Sequence, residues 1–117
     1  MAGDPGCLFC KIVAGTIKAT IVAQDPDWLA FTDLAPQAPH HVLVVPKRHV
    51  ATVNDLRPAD DALVGAMVRA ARGLAKTWGV DAAGYRLVMN CNADGGQSVY
   101  HLHLHLLAGR RMTWPPG

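Results

Sequence analysis

The sequence predicts an α+β fold: a mainly antiparallel sheet with one long helix laid across a face. Three observations carry this reading. Short apolar runs bounded by proline and glycine recur at residues 20–24, 28–32, 41–45, 85–90 and 100–107. A single long stretch, 58–78, repeats its apolar residues at helical spacing. Residues 101–106 alternate His and Leu without a break, which is the period of a strand.

Taken in order, residues 7–14 (CLFCKIVA) form a short apolar segment closed by Gly15. Strands at 20–24 (TIVAQ) and 28–32 (WLAFT) flank Asp25-Pro26-Asp27, a turn that makes them a hairpin. A loop fixed by Pro36 and Pro39 leads to the strand 41–45 (HVLVV), stopped by Pro46. In the helix, Leu63, Met67, Ala70, Ala71, Leu74 and Trp78 share a face. Pro58 suits its first turn, Asp60 and Asp61 suit the positive end of its dipole, and Gly79 suits its stop. The strand 85–90 (YRLVMN) follows, then a turn at Asp94-Gly95-Gly96 and the strand 100–107. The tail, 109–117, is too rich in proline at its end for either element.

A length of 117 residues fits one domain spanning 1–117, with a flexible start at 1–6. No apolar run approaches the roughly 18 residues of a membrane-spanning helix. Residues 1–6 lack the basic and apolar regions of a signal peptide, so a cytoplasmic setting is expected. A net charge of +2 argues against nucleic acid or an anionic membrane as partner. Three cysteines are an odd number, and in a reducing compartment the Cys7-x-x-Cys10 pair reads as metal-binding or redox-active. Charged residues are only 17% of the chain against roughly 25% in a typical soluble domain, while 50% are hydrophobic.

The histidine stretch is the most informative. Along a strand, His101, His103 and His105 face one way and Leu102, Leu104 and Leu106 the other. Neighbours on one face are about 6.6–6.8 Å apart. Thr, Lys or Glu would serve a merely solvated face equally well. Imidazole adds a neutral nucleophile, a base and a metal ligand near pH 7. Just upstream, Gly95-Gly96 permits close backbone approach to an anion and Ser98 adds a hydroxyl, which reads as a cradle for phosphate oxygens.

The run GGQSVYHLHLHLLAGRRM resembles the signature of the histidine triad (HIT) family, His-φ-His-φ-His with φ hydrophobic. The tail RRMTWPPG, the stretch FTDLAPQAPHHVLVVPKRH (31–49) and YRLVMN are similar to the Hint branch, the purine nucleoside phosphoramidases. The likeness runs from Cys7 to the end. It implies a HIT-like fold, five strands with one long and one short helix, pairing through a two-fold axis into a ten-stranded sheet in a homodimer.

The resemblance also implies roles. His103 would be the nucleophile, attacking the α-phosphorus of a nucleoside phosphoramidate to give a nucleotidyl-histidine that water hydrolyses. His105 and His41 would orient or tune it. Ser98 and the Gly96–Gln97 backbone would hold phosphate oxygens or assist the leaving group. Asn90 would lie near phosphate and ribose, and Asp33 would accept from ribose hydroxyls. Leu8, Phe9, Ile12, Phe31 and Leu34 would line a purine pocket. A subset of the family binds structural zinc through a cysteine pair, the His of a Pro-Lys-x-His stretch and the first triad histidine. Here these are Cys7, Cys10, His49 and His101. Thr113 stands where many Hint sequences have His.

Hydrolysis of dinucleoside polyphosphates uses the same nucleophile, and the Hint-like tail argues against it. Nucleotidyl transfer is disfavoured because that branch has Gln where this chain has His105. A nucleotide- or partner-binding module with vestigial catalysis is the alternative from another class. The deficit of charge predicts that apolar surface is buried between two copies.

Overall fold

The computed structural model describes residues 3–117. Helix α1, Leu8–Val13, begins at Cys7, whose Sγ accepts from the Cys10 N–H at 3.3 Å. Its Phe9, Cys10 and Ile12 are buried. Strands β1 (Ile21–Gln24) and β2 (Trp28–Thr32) form the expected hairpin: Asp25 Oδ1 accepts from the N–H groups of Asp27 and Trp28. Strand β3, His40–Pro46, runs one residue further at each end than the sequence indicated. Helix α2, Asp61–Thr77, is followed by β4 (Tyr85–Val88) and β5 (Leu104–Ala108). The sheet order is β1-β2-β3-β5-β4, and every adjacent pair is antiparallel.

The expected single helix over 58–78 is divided. Pro58–Asp60 is a 3₁₀ turn, and α2 starts after it. Asp60 explains the division: one carboxylate oxygen accepts from the Arg57 N–H at 2.9 Å and the other pairs with Arg48. This carboxylate secures the turn, and the Arg57 N–H, followed by Arg48, holds its pKa below the ordinary value.

The strand expected at 100–107 starts later, at Leu104. Its partner β3 ends at Pro46, which has no N–H to continue the ladder. Leu102 instead donates to Val50 O at 2.7 Å. The strand expected at 85–90 is trimmed for the same reason: its last pair is Val88 with His105, and the chain before Leu104 has left the sheet. Alternation nonetheless survives, because Leu102, Leu104 and Leu106 all enter one core.

The sheet separates two apolar clusters. Ala30, Val42, Val44, Leu104 and Leu106 meet Met67 and Ala71 of α2 on one face. Leu29, Phe31, Leu43 and Val45 meet Phe9 and Ile12 of α1 on the other. His41 and His105 alternate onto the α1 face, so the long helix covers the side opposite the histidines. The expected flexible start at 1–6 lies partly outside the described residues. Within it, Asp4 O accepts from the Cys7 N–H at 3.0 Å and Asp4 Oδ1 from the Gly6 N–H. The tail forms neither helix nor strand, and Arg86 Nη2 donates to Thr113 O.

Candidate functional site

The histidines come together although, of the three in the His-Leu run, only His105 lies on a paired strand; His41 joins them from β3. The His103 and His105 rings are 5.0 Å apart, and the His41 and His105 rings 5.2 Å. Phe9 packs edge-on against His103 at 5.1 Å.

Hydrogen bonds assign the protons. His103 Nδ1 is 2.7 Å from His101 O, an acceptor, so Nδ1 carries the proton and Nε2 keeps a lone pair. Gln37 N–H donates to His41 Nδ1 at 3.0 Å, so the His41 proton sits on Nε2. That nitrogen lies 2.9 Å from His105 Nδ1 and 3.4 Å from Asp33 Oδ2. His105 Nδ1 therefore accepts, and the His105 proton is on Nε2. The pair offers complementary chemistry: a lone pair on His103 and an N–H on His105.

His105 and His41 are both shifted toward the neutral form. Burial, then His103 and His41, push His105 down from 6.5 to about 4. Burial lowers His41 too, against the opposing pull of Asp33. A neutral imidazole is the form that attacks or accepts a proton.

Beside these rings is a cleft of ≈ 190 Å³. It is lined by Leu8, Phe9 and Ile12 of α1, Phe31 of β2, Leu43 of β3, the Asp33-Leu34-Ala35 loop, Ser98, Val99, His103 and His105. The five apolar residues expected to form a pocket are thus assembled, with Asp33 and Ser98 among them. Leu43, missed from the sequence, was detectable: it lies two residues beyond His41 on the same face of β3. Val99 carried no such signal. Four larger clefts, ≈ 580, ≈ 590, ≈ 470 and ≈ 320 Å³, lie elsewhere, and of these only the last is lined by a histidine, His49.

Three expected residues are placed differently. Asn90, half-buried beyond β4, does not line the cleft. The Gly96 N–H donates to Ala93 O and the Gln97 N–H to Asn92 O, so the turn consumes the two amides that the sequence suggested for phosphate. The buried Gln97 side chain braces that turn. Its Oε1 accepts from the Asn92 N–H, and its Nε2 donates to Ala51 O and Val99 O. Among the described residues, the amide and hydroxyl of exposed Ser98 have no protein partner.

A second cluster lies beside His103. Cys7, Cys10, His49 and His101 place their ligand atoms within 4.8 Å of one another, and the group can hold a metal ion. His101 Nε2–H donates to Pro46 O at 2.8 Å, which leaves Nδ1 as the coordinating atom. That Nδ1 is 3.3 Å from Cys7 Sγ, 3.5 Å from Cys10 Sγ and 3.3 Å from His49 Nδ1. Cys10 Sγ is 3.3 Å from His49 Nδ1. Burial raises the Cys10 thiol and lowers His101 to about 4, so without a cation the cluster favours neutral forms.

The HIT domain profile matches residues 14–112. The chain belongs to the HIT family. It is 46% identical over 110 residues to an uncharacterised HIT-like protein of Synechococcus elongatus, covering 94% of this chain and 96% of that one. It is 45% identical over 103 residues to the purine nucleoside phosphoramidase of Escherichia coli, covering 88% and 87%. The crystal structure of a HIT family hydrolase from Legionella pneumophila superposes with a TM-score of 0.94 at 54% identity, covering 96% of this chain and all of that one. This kinship makes the chain a hydrolase of the HIT family. The five-stranded antiparallel sheet with its long helix is the HIT fold, as the histidine motif led one to expect.

Proposed function

We propose that this HIT hydrolase cleaves purine nucleoside 5′-phosphoramidates, of the AMP–amine type, through a nucleotidyl-histidine on His103. The observation that carries the reading is the His103 ring, with Nδ1–H held by His101 O and the Nε2 lone pair left for attack. Its kinship with the Escherichia coli phosphoramidase supports the substrate class.

The Nε2 lone pair forms a bond to the α-phosphorus as the phosphorus–nitrogen bond to the amine breaks. The amine departs with a proton taken from solvent, while His105 Nε2–H donates a hydrogen bond to its nitrogen. Water then attacks phosphorus and gives a proton back to solvent, and the His103–phosphorus bond breaks to release the nucleotide. Ser98 would hold a phosphate oxygen, with Asn90, Gly96 and Gln97 serving at a distance by shaping that loop. The apolar walls Leu8, Phe9, Ile12, Phe31 and Leu34 would enclose the purine, and Asp33 would accept from the ribose.

Cys7, Cys10, His49 and His101 would hold a structural zinc ion. Tetrahedral bonds of about 2.0–2.1 Å to nitrogen and 2.3 Å to sulfur would put ligand atoms about 3.3–3.8 Å apart, and the four separations of 3.3–3.5 Å support that reading. With four protein ligands the ion fixes structure and leaves no position for a reactant.

A homodimer in the cytoplasm completes the proposal. No helix among the described residues is long and apolar enough to cross a membrane. Strand β4 is an open sheet edge with half-buried residues, and α2 exposes Val68 and has open space above Gly65 and Gly73. The deciding experiment is release of amine from an adenosine 5′-phosphoramidate, run beside a diadenosine polyphosphate. Faster cleavage of the polyphosphate would replace the substrate class. Binding without turnover of either would leave a nucleotide-binding module.

A further inference from the structure

We propose that Arg110 is a positioning residue for the histidine pair, acting through Gln37 to fix which nitrogen of His41 and of His105 carries the proton. The inference rests on the phosphoramidase reading for its kinetic consequence, but not for its structural content.

The loop after β2 folds back on His41. Asp33 N–H donates to His41 O at 3.0 Å, Ala35 N–H donates to Asp33 Oδ1, and Gln37 Nε2 donates to Ala35 O. The loop's contact with the ring is the Gln37 N–H, donated to His41 Nδ1. This bond is a choice between two states. A backbone amide can only donate, so while it is present His41 must be protonated on Nε2 and His105 on Nε2 in turn. If Gln37 swings away, nothing at Nδ1 opposes the other tautomer, and only the longer contact of Asp33 Oδ2 with Nε2, at 3.4 Å, still favours the first. His41 Nε2 would then accept from a proton on His105 Nδ1, and His105 would turn a lone pair to the cleft where the leaving amine needs a hydrogen-bond donor.

Gln37 is exposed, and its own side chain bonds only within the loop. The tie from outside is Arg110 Nε, which donates to Gln37 O at 3.0 Å. A second guanidinium nitrogen, Nη1, donates to Arg111 O and steadies the fork. The approach depends on Gly109. Its φ is +94°, and a Cβ there would sit 2.8 Å from Pro39 Cβ. With His40 paired to Ala108, Gly109 brings the end of β5 against the loop and sets Arg110 beside Gln37. The run from guanidinium to cleft is thus Arg110, Gln37, His41, His105, each contact at 2.9–3.0 Å.

The test uses the full chain with Arg110→Met and Arg110→Lys. Arg110 is exposed, so neither change disturbs the core. Ring ¹⁵N NMR reports the tautomer of each histidine directly, a readout that simple loosening of the tail would not move. In the parent protein His41 and His105 should both be Nε2–H. Arg110→Met should mix the tautomers at both rings and lower kcat for an adenosine phosphoramidate about tenfold or more, with KM changed less than about threefold. Arg110→Lys, which can still donate to Gln37 O, should keep the parent tautomers and most of kcat. Unchanged tautomers in Arg110→Met, or mixed tautomers with unchanged kcat, would overturn the proposal. If the parent protein releases no amine, the phosphoramidase reading fails while the NMR result alone decides the role of Arg110.

Discussion

His103 Nδ1 lies 2.7 Å from the carbonyl oxygen of His101, so one residue both offers a ring that can ligate a metal and fixes the proton on the neighbouring imidazole. The consequence is an imidazole whose free lone pair, on Nε2, is set by the backbone. Replacing His103 with Ala should cut amine release by at least about 10³-fold, as loss of a nucleophile does elsewhere. Purine nucleotide affinity should change less than about fivefold, near 1 kcal/mol, because the apolar walls remain. Stopped-flow turnover with equilibrium binding to the same variant checks both. Retained turnover would remove His103 from the chemistry.

The cluster of Cys7, Cys10, His49 and His101 yields a second prediction. Purified protein should contain equimolar zinc, and Cys10→Ser should lose most of it. Because the ion binds only the folded arrangement, its removal by a chelator should cost at least about 2 kcal/mol of stability. Loss of zinc should also loosen His101 and slow turnover without abolishing it. Elemental analysis with urea melts at matched pH decides the matter. Protein that is zinc-free, with titratable thiols and an unchanged melt, would refute the site.

Much of this was legible in the sequence because period and position act locally. His-Leu alternation located His101, His103 and His105 on one side, and the leucines entered the α2 core as the period requires. The β2 hairpin was bounded correctly by Asp25-Pro26-Asp27. What failed was long-range. No local signal told that the chain before Leu104 would leave the sheet, since that depends on where β3 ends. The Gly-Gly turn looked like an anion cradle from composition, yet its amides close on Ala93 and Asn92. Arg110 read as part of a tail, because its partner Gln37 lies 73 positions away.

The third prediction concerns pH. Folded His105 takes up a proton only near pH 4, whereas the unfolded chain does so near 6.5. Between these values the unfolded state binds more protons, so stability rises with pH there. The contribution is fully present above about 6.5 and is lost as pH falls toward 4. Since the ring is partly exposed, the loss should be on the order of 1–2 kcal/mol. Urea midpoints at several pH values, compared with His105→Gln, isolate it. An identical slope in the variant would sink the assignment.

Gly95 supplies the fourth. A Cβ at Gly95 would lie 2.5 Å from Cys91 O and 2.9 Å from Cys91 N, both backbone atoms that cannot swing aside. Gly95→Ala must therefore open the turn that Gln97 braces, at a cost of about 1–3 kcal/mol. Since the turn leads directly to Ser98, kcat should fall more than affinity for the purine. A crystal structure or kinetics of the variant checks this. Unperturbed stability and kcat would mean that the turn is slack.

The last prediction returns to the scarcity of charge, 17% of the chain. The sheet leaves β4 as an open edge, with Arg86 its one charged residue, and an open edge invites pairing. Tyr85, Leu87 and Val88 are only half-buried there, and Trp114 and Leu34 are 81% and 77% exposed. If β4 pairs with its counterpart across a two-fold axis, the two five-stranded sheets become one of ten, and the open faces of α2 meet where Gly65 and Gly73 allow close approach. Sedimentation at micromolar concentration should then give twice the mass of 12.5 kDa. Gly73→Glu places a charge, and its mirror image, in that contact, and should shift the population toward monomer. A parent protein that sediments as a stable monomer would leave the apolar surface without a partner and overturn the arrangement.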